Sequence, residues 1–134
     1  MKISSIDESQ ARREEADPAN FDGEVRIQRL VGPGDSGEVE LLAVYFSARA
    51  RTRPHIHARD QVLQIVSGQG IVATETQRHV VVPGDVITIR AGDWHWHGAT
   101  RDTPMCHISI KQPGPTDWTV AEKNWPAGYG EIGR

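Results

Sequence analysis

The sequence predicts an all-β domain, and three observations support that fold class. β-Branched and aromatic residues occur in short runs, such as Val25 to Val31, that are separated by Gly, Pro and Asp. Between residues 25 and 111, no stretch keeps the apolar period of an amphipathic helix. The 13 glycines and 8 prolines are spread along the chain, which is typical of many short elements joined by tight turns.

The predicted strands follow one another with a turn signal after most of them. They are Val25 to Val31, Val39 to Phe46, Gln61 to Val66, Gly70 to Thr74, His79 to Val82, Val86 to Ile89, Trp94 to His97 and Met105 to Ile110. Gly32-Pro33-Gly34, Gly68, Pro83-Gly84-Asp85 and Ala91-Gly92-Asp93 supply the turns. A set of about eight short strands must remove its exposed edges by closing or by packing as two sheets. The sequence therefore predicts a barrel or jelly roll.

The two ends of the chain differ from this central part. Asp7 to Asp17 is rich in charged side chains and has room for one or two polar helical turns at most, so residues 1–24 are predicted to be a solvated polar arm. Gln112-Pro113-Gly114-Pro115 ends the last strand. We expect a barrel over residues 25–111 and a C-terminal segment, residues 112–134, that packs on it.

Composition excludes several classes of function. The chain has 134 residues, with 15 Lys and Arg against 18 Asp and Glu, and no basic cluster marks it as a nucleic-acid-binding protein. Its longest uncharged apolar runs, such as Leu41 to Ser47, are far shorter than the roughly 20 residues that span a bilayer. Met1 to Asp17 lacks the apolar core of a signal peptide, and Cys106 is the only cysteine. We therefore expect a cytoplasmic, single-domain protein with no membrane partner.

The histidines carry the main functional signal. All six lie between residues 55 and 107, and four of them form the pairs His55/His57 and His95/His97. Residues two apart on a strand project to the same face about 6 to 7 Å apart, so each pair can converge on one metal ion. His79 has no partner at such a spacing and is expected at the surface.

The spacing around these pairs resembles the two sequence motifs of the cupin superfamily. The first is His55-x-His57-x3-Gln61-x6-Gly68, and the second is Gly84-x5-Arg90-x-Gly92-x2-His95-x3-Ala99. The resemblance implies a small jelly-roll β-barrel that holds one divalent metal on three histidines and an acidic side chain. Gln61 replaces that acidic residue, and Arg90 and Ala99 replace the family's proline and asparagine. A neutral glutamine leaves the ion its full +2 charge, so the site becomes a stronger Lewis acid that attracts anions.

Within that superfamily, Gly92 to Ala99 and Met105 to Ile110 resemble the bacterial cupin hydroxynitrile lyases, which split a cyanohydrin into an aldehyde and cyanide. The resemblance implies that the metal ligands are His55, His57, Gln61 and His95, that His97 and His107 transfer protons, and that Leu42, Val44, Thr52 and Lys111 line the substrate pocket. It implies manganese as the usual metal, a small-molecule substrate and a homodimer or higher homo-oligomer. Imidazole ligands also suit iron, nickel and zinc. Leu42 and Lys111 stand where those lyases tend to have a small residue and a glutamine.

Three classes of function remain open from the sequence. They are a metal-dependent lyase, a cupin dioxygenase, sugar-acid isomerase or decarboxylase with the same ligand geometry, and a non-catalytic small-molecule binder. His97 could equally support its neighbours through a hydrogen bond. Trp94 and Trp96 alternate with the histidines and are predicted to pack on the opposite face, and Cys106 is predicted to be a buried structural thiol.

Overall fold

The computed structural model describes residues 1–128, and within this range the chain forms two five-stranded antiparallel sheets and a small two-stranded one. The strands are β1 (Phe21–Asp22), β2 (Val25–Val31), β3 (Glu40–Phe46), β4 (Arg51–Thr52), β5 (Ile56–His57), β6 (Gln61–Gly68), β7 (Gly70–Thr74), β8 (Arg78–Val81), β9 (Val86–Ile89), β10 (His95–Ala99), β11 (Met105–Lys111) and β12 (Thr116–Asp117). Short 3₁₀ turns occur at Glu8–Gln10, Arg13–Glu15, Pro18–Asn20 and Trp125–Ala127. The all-β prediction is confirmed. None of the described helical segments is both long and apolar enough to cross a membrane.

The order of strands in the sheets brings distant parts of the chain together. One sheet has the order β1-β4-β10-β7-β8, the second has the order β2-β3-β11-β6-β9, and β12 pairs with β5. The main core lies between the two large sheets and includes Val44, Phe46, Leu63, Ile65 and Val72. The site described below shares this interior.

Alternation along β11 decides which side chains reach that interior. Met105 belongs to the main core, and Ser109 and Lys111 line a cavity of the same interior. Ile108 and Ile110 lie in a separate apolar cluster on the other face of the sheet. This period of two places every second residue of β11 on the side of the site.

Strands β2, β7 and β9 have the predicted bounds, and the other long strands differ by one or two residues at an end. The two-residue strands β1, β4, β5 and β12 escape prediction because each is held by pairing with a distant segment rather than by an apolar pattern of its own. β1 pairs with β4, so the sheet begins before residue 25.

The N-terminal arm is less solvated than the sequence indicates. Ala11 and Ala16 are buried, and backbone hydrogen bonds join Arg12 to Ile27 in β2. The arm also contributes Glu15, Asp17, Asn20 and Phe21 to the wall of a cavity. The predicted polar arm therefore takes part in the barrel's packing.

The described part of the C-terminal segment covers one face of β10. Trp125 packs in a cluster with Trp94 and Trp96, which lie on the face opposite the histidines as predicted. The guanidinium of Arg51 lies 3.9 Å from the Trp125 ring centroid and 5.1 Å from that of Trp96, and it donates a hydrogen bond to the Trp125 carbonyl (2.7 Å). Residues 129–134 of the predicted segment, Tyr129 included, lie outside the described residues.

Candidate metal centre

The start of β10 and the segment before β5 form the base of the site. The backbone N–H of His55 donates to the carbonyl of His95 at 3.0 Å, and the N–H of His95 donates to the carbonyl of His55 at 3.1 Å. This reciprocal pair fixes the two residues side by side, with ring centroids 4.2 Å apart. Two histidines separated by forty positions in the chain therefore share one location.

His57 and Gln61 complete the predicted ligand set. The His57 ring centroid lies 4.8 Å from that of His55 and 5.2 Å from that of His95. Gln61, the first residue of β6, lines the same cavity as His55 and His57. All four side chains are buried.

Hydrogen bonds to the Nδ1 atoms orient the imidazoles. Nδ1 of His55 donates to the Arg53 carbonyl (2.7 Å), and Nδ1 of His95 donates to the Asp93 carbonyl (3.0 Å). Because a carbonyl only accepts, both rings carry their proton on Nδ1 and keep a lone pair on Nε2. Nδ1 of His57 is held by the Thr116 hydroxyl at 2.9 Å. Such contacts are the usual support of metal-binding imidazoles.

Several buried atoms at this point have no partner among the described residues. They are Nε2 of His57, Nε2 of His95, Nε2 of His97 and Oε1 of Gln61. The Gln61 amide nitrogen donates to the Ser109 hydroxyl at 2.8 Å, which leaves the carbonyl oxygen available. Buried polar atoms left unpaired cost free energy unless something binds them. Lone pairs of imidazole nitrogen and amide oxygen fit a first-row divalent ion.

His97 also lies at this centre. One group of potential ligand atoms, all within 4.8 Å of one another, consists of the ring nitrogens of His55, His95 and His97. His57 does not belong to that group, although its ring adjoins those of His55 and His95. Four imidazoles therefore surround one centre, and the sequence pattern alone does not decide which three bind an ion.

His97 and His107 form a buried imidazole pair. Nε2 of His107 lies 3.0 Å from Nδ1 of His97, so one ring donates to the other. His97 lines the cavity, whereas His107 is fully buried, is absent from the cavity wall and packs against the Phe46 ring (centroids 5.3 Å apart). Of the two predicted proton-transfer residues, only His97 can touch a molecule in the cavity. His107 contacts the cavity-lining ring of His97 through this hydrogen bond.

Burial keeps these histidines neutral. It is the main cause that lowers the pKa of His57 to about 4 and that of His107 to about 4. The pKa values of His55 and His97 are also held well below the usual range, first by burial and then by neighbouring histidines, and burial lowers the pKa of His95. Near pH 7 each of these imidazoles is therefore neutral and has one ring nitrogen with a lone pair.

These shifts make the metal-free protein acid-sensitive. Between pH 6.5 and about 4, the unfolded chain protonates its histidines while His57 and His107 stay neutral in the folded state. We therefore expect the free energy of unfolding to be highest above pH 6.5 and to fall below it by about 1.4 kcal/mol per pH unit for each such histidine. Urea unfolding of metal-free protein at pH 7, 6 and 5 measures this slope, and a flat profile would contradict it.

A cavity of about 250 Å³ opens beside the centre. It is lined by all four residues that the sequence predicts for the substrate pocket, namely Leu42, Val44, Thr52 and Lys111. His55, His57, Gln61 and His97 also line it, whereas His95 is not part of the described wall. Exposed His79 and buried Cys106 lie elsewhere, as predicted.

Three residues of the site escape prediction from the sequence. Thr116 holds His57 from 59 positions away, and the Trp118 ring lies against that of His55 with centroids 4.2 Å apart. Neither position carries a local signal, because both depend on the pairing of β12 with β5. Ser109, which holds Gln61, was detectable in principle, because it shares the parity of His107 and Lys111 on β11.

Comparison with known proteins agrees with this geometry. A profile of the cupin domain matches residues 42–111. An (R)-mandelonitrile lyase from Granulicella tundricola is 37% identical over 93 residues, which are 69% of this chain and 71% of that protein. A cupin-like protein from Thermotoga maritima is similar in structure, with a TM-score of 0.77, 27% identity and coverage of 87% of this chain and 93% of that one.

A more distant structural relative extends the same fold. The polyketide cyclase RemF from Streptomyces resistomycificus has a TM-score of 0.74 at 16% identity, over 95% of this chain and 93% of that one. The histidine spacing, the two facing sheets and the domain match over residues 42–111 all agree. This chain belongs to the cupin family.

Proposed function

We propose that this protein is a metal-dependent lyase that cleaves or forms a carbon–carbon bond in a small hydroxylated molecule, with a cyanohydrin as the specific substrate class. The observation that carries the proposal is a set of buried, unpartnered ligand atoms beside an imidazole pair that reaches the cavity wall. The similarity to a mandelonitrile lyase supports the choice of reaction.

His55, His57, Gln61 and His95 are the residues that would hold the metal, for which manganese is our choice. When bound, a divalent ion supplies Lewis acidity to a hydroxyl or carbonyl oxygen. The four side chains are all neutral near pH 7, so they do not reduce the ion's charge. Thr116 and Ser109 fix the positions of His57 and Gln61 through the hydrogen bonds described above.

Proton transfer falls to the imidazole pair. Cleavage of a cyanohydrin breaks the C–CN bond as the hydroxyl proton leaves and a carbonyl forms, and the departing cyanide takes up a proton. Nε2 of His97 is buried, unpartnered and on a ring that lines the cavity, so it can accept the hydroxyl proton. The hydrogen bond to His107 shares the resulting positive charge between two rings. The same proton can then return to cyanide.

The direct test is cleavage of mandelonitrile by purified protein loaded with Mn²⁺. We expect release of cyanide and benzaldehyde in equal amounts, and none from the protein after chelation. Oxygen uptake by an iron-loaded sample without cyanide release would instead favour the dioxygenase alternative. Failure to retain Mn, Fe, Ni or Zn after reconstitution would favour a non-catalytic binder.

Gln61 offers a separate test of the charge at the centre. In a Gln61→Glu variant, the carboxylate would lower the net charge of a loaded site from about +2 to about +1. We expect metal affinity to be kept or raised and affinity for small anions such as azide to fall. Isothermal titration of azide into loaded wild-type and variant protein measures the difference, and equal affinities would refute this role for the glutamine.

A further inference from the structure

The inner face of β11 carries two hydrogen-bond donors into the cavity, Ser109 and Lys111. They are two residues apart and therefore project to the same side of the strand. Lys111 lies between Gln61 of β6 and Glu40 of β3 in the register of the sheet. Its side chain is only 12% exposed. A lysine charge is thus held on the cavity wall next to one of the proposed metal ligands.

Both donors have capacity beyond their present contacts. The ammonium group of Lys111 has three N–H donors, and its partner within residues 1–128 is the Glu40 carboxylate, 3.2 Å away. The Ser109 hydroxyl accepts a hydrogen bond from Gln61, so its own proton remains to be donated. The two groups together present donors to any acceptor that enters this side of the cavity.

The carboxylates of the same cavity are already engaged. Glu40 contacts Lys111 and also Nη1 of Arg29 (3.6 Å), and Glu15 contacts Nη2 of Arg29 (3.3 Å). Asp17 accepts a hydrogen bond from a backbone N–H two residues further on. Arg29 is therefore shared by two carboxylates, whereas Lys111 has only the shared carboxylate of Glu40. Lys111 is the cation better placed to bind an incoming anion.

We propose that Ser109 and Lys111 form a carboxylate subsite, so that small 2-hydroxy carboxylates are a second ligand class of this cavity, beside the proposed cyanohydrin substrate. The inference rests on the proposed function in one respect, since it takes the metal centre at Gln61 and the histidines as the partner of the hydroxyl. Hydroxyl and carboxylate oxygens on adjacent carbons match two neighbouring positive sites in a cavity of about 250 Å³. An uncharged cyanohydrin would use only the first of these sites.

Binding of mandelate and mandelamide tests the subsite, because the two differ only in a carboxylate against a carboxamide. We expect metal-loaded wild-type protein to bind mandelate at least about tenfold more tightly in calorimetric titration, the scale of a charge-assisted hydrogen bond. The Lys111→Met variant should lose this preference, and Lys111→Arg should retain most of it. Equal affinities of the wild-type protein for the two compounds would overturn the proposal.

Arg29→Met is the matched control, since it removes the same charge from the same cavity. If this variant loses the preference for mandelate as fully as Lys111→Met does, the preference comes from the overall positive charge of the cavity and the subsite is refuted. Metal content and thermal unfolding of each variant establish that it is folded. If Lys111→Met does not fold, the Ser109→Ala variant is the test. A severalfold smaller preference for mandelate over mandelamide supports the subsite, and an unchanged preference rejects it.

The outcome is separable from that of the lyase proposal, because binding is measured without turnover. A protein that prefers mandelate through Lys111 but does not cleave mandelonitrile would keep the subsite and lose the proposed reaction. Cleavage of mandelonitrile without any preference for mandelate would do the reverse.

Discussion

Replacement of His95 by alanine is expected to lower the affinity for Mn²⁺ by at least about a hundredfold, the largest effect that we expect from a single substitution at the metal centre. His95 is fully buried, its Nδ1 is tied to the Asp93 carbonyl, and its Nε2 has no partner among the described residues. Alanine removes that ligand atom and leaves the backbone pairing with His55 possible. Competition with a chromogenic chelator measures the change in affinity.

His79→Ala is the control for this experiment, because His79 is an exposed histidine on β8. It should retain the affinity of the wild-type protein. If His95→Ala keeps its manganese while His97→Ala loses it, the ligand role belongs to His97, whose ring nitrogen lies in the same group of atoms. That result would remove His95 from the proposed ligand set.

Replacement of His107 by asparagine is expected to reduce kcat for mandelonitrile by about 10² to 10⁴, the usual contribution of general acid–base catalysis. The asparagine carbonyl oxygen can still accept a hydrogen bond from the Nδ1–H of His97, but it cannot take up a proton. Manganese content should be unchanged, since His107 is absent from the group of ligand atoms. Steady-state kinetics with metal analysis of the same samples measures both quantities.

Cys106→Ala provides the matched control on the same strand. Cys106 is the neighbour of His107 and is buried, but its side chain lines a different cavity. Its kcat should stay within about twofold of the wild-type value. A His107→Asn variant of normal kcat would show that the imidazole pair does not carry the proton, and it would leave His97 without its proposed partner.

Local patterns explain why so much of the barrel was predictable. β7 and β9 consist of β-branched and apolar residues, β2 alternates such residues with polar ones over most of its length, and the predicted bounds of all three strands agree with the structure. β10 starts one residue later than predicted and continues through Gly98 and Ala99, because antiparallel pairing with Ile71 and Gly70 of β7 extends it. Pairing partners of this kind are invisible to a single-sequence pattern.

Local patterns also predict which histidines share a face, but they do not predict the role of each one. Parity placed His95 and His97 on one face of β10, and the structure brings both toward His55. Alternation along the strand could not assign different roles to His95 and His97, because residues on one face share one environment. Thr116 and Trp118 lay beyond any such reasoning, because long-range pairing of β12 sets their positions.

The pairing of β12 with β5 has a consequence for the protease sensitivity of the protein. β12 pairs with β5. Next to this pairing, the N–H of Ala58 donates a hydrogen bond to the carbonyl of Pro115 (3.2 Å), and the Thr116 hydroxyl is hydrogen-bonded to the His57 ring. Binding of a metal ion by His57 and the packing of residues 112–118 against β5 are therefore expected to stabilise each other. Limited proteolysis would therefore report how much of the protein holds metal. We expect a protease to cleave metal-free protein within residues 112–118 sooner than metal-bound protein.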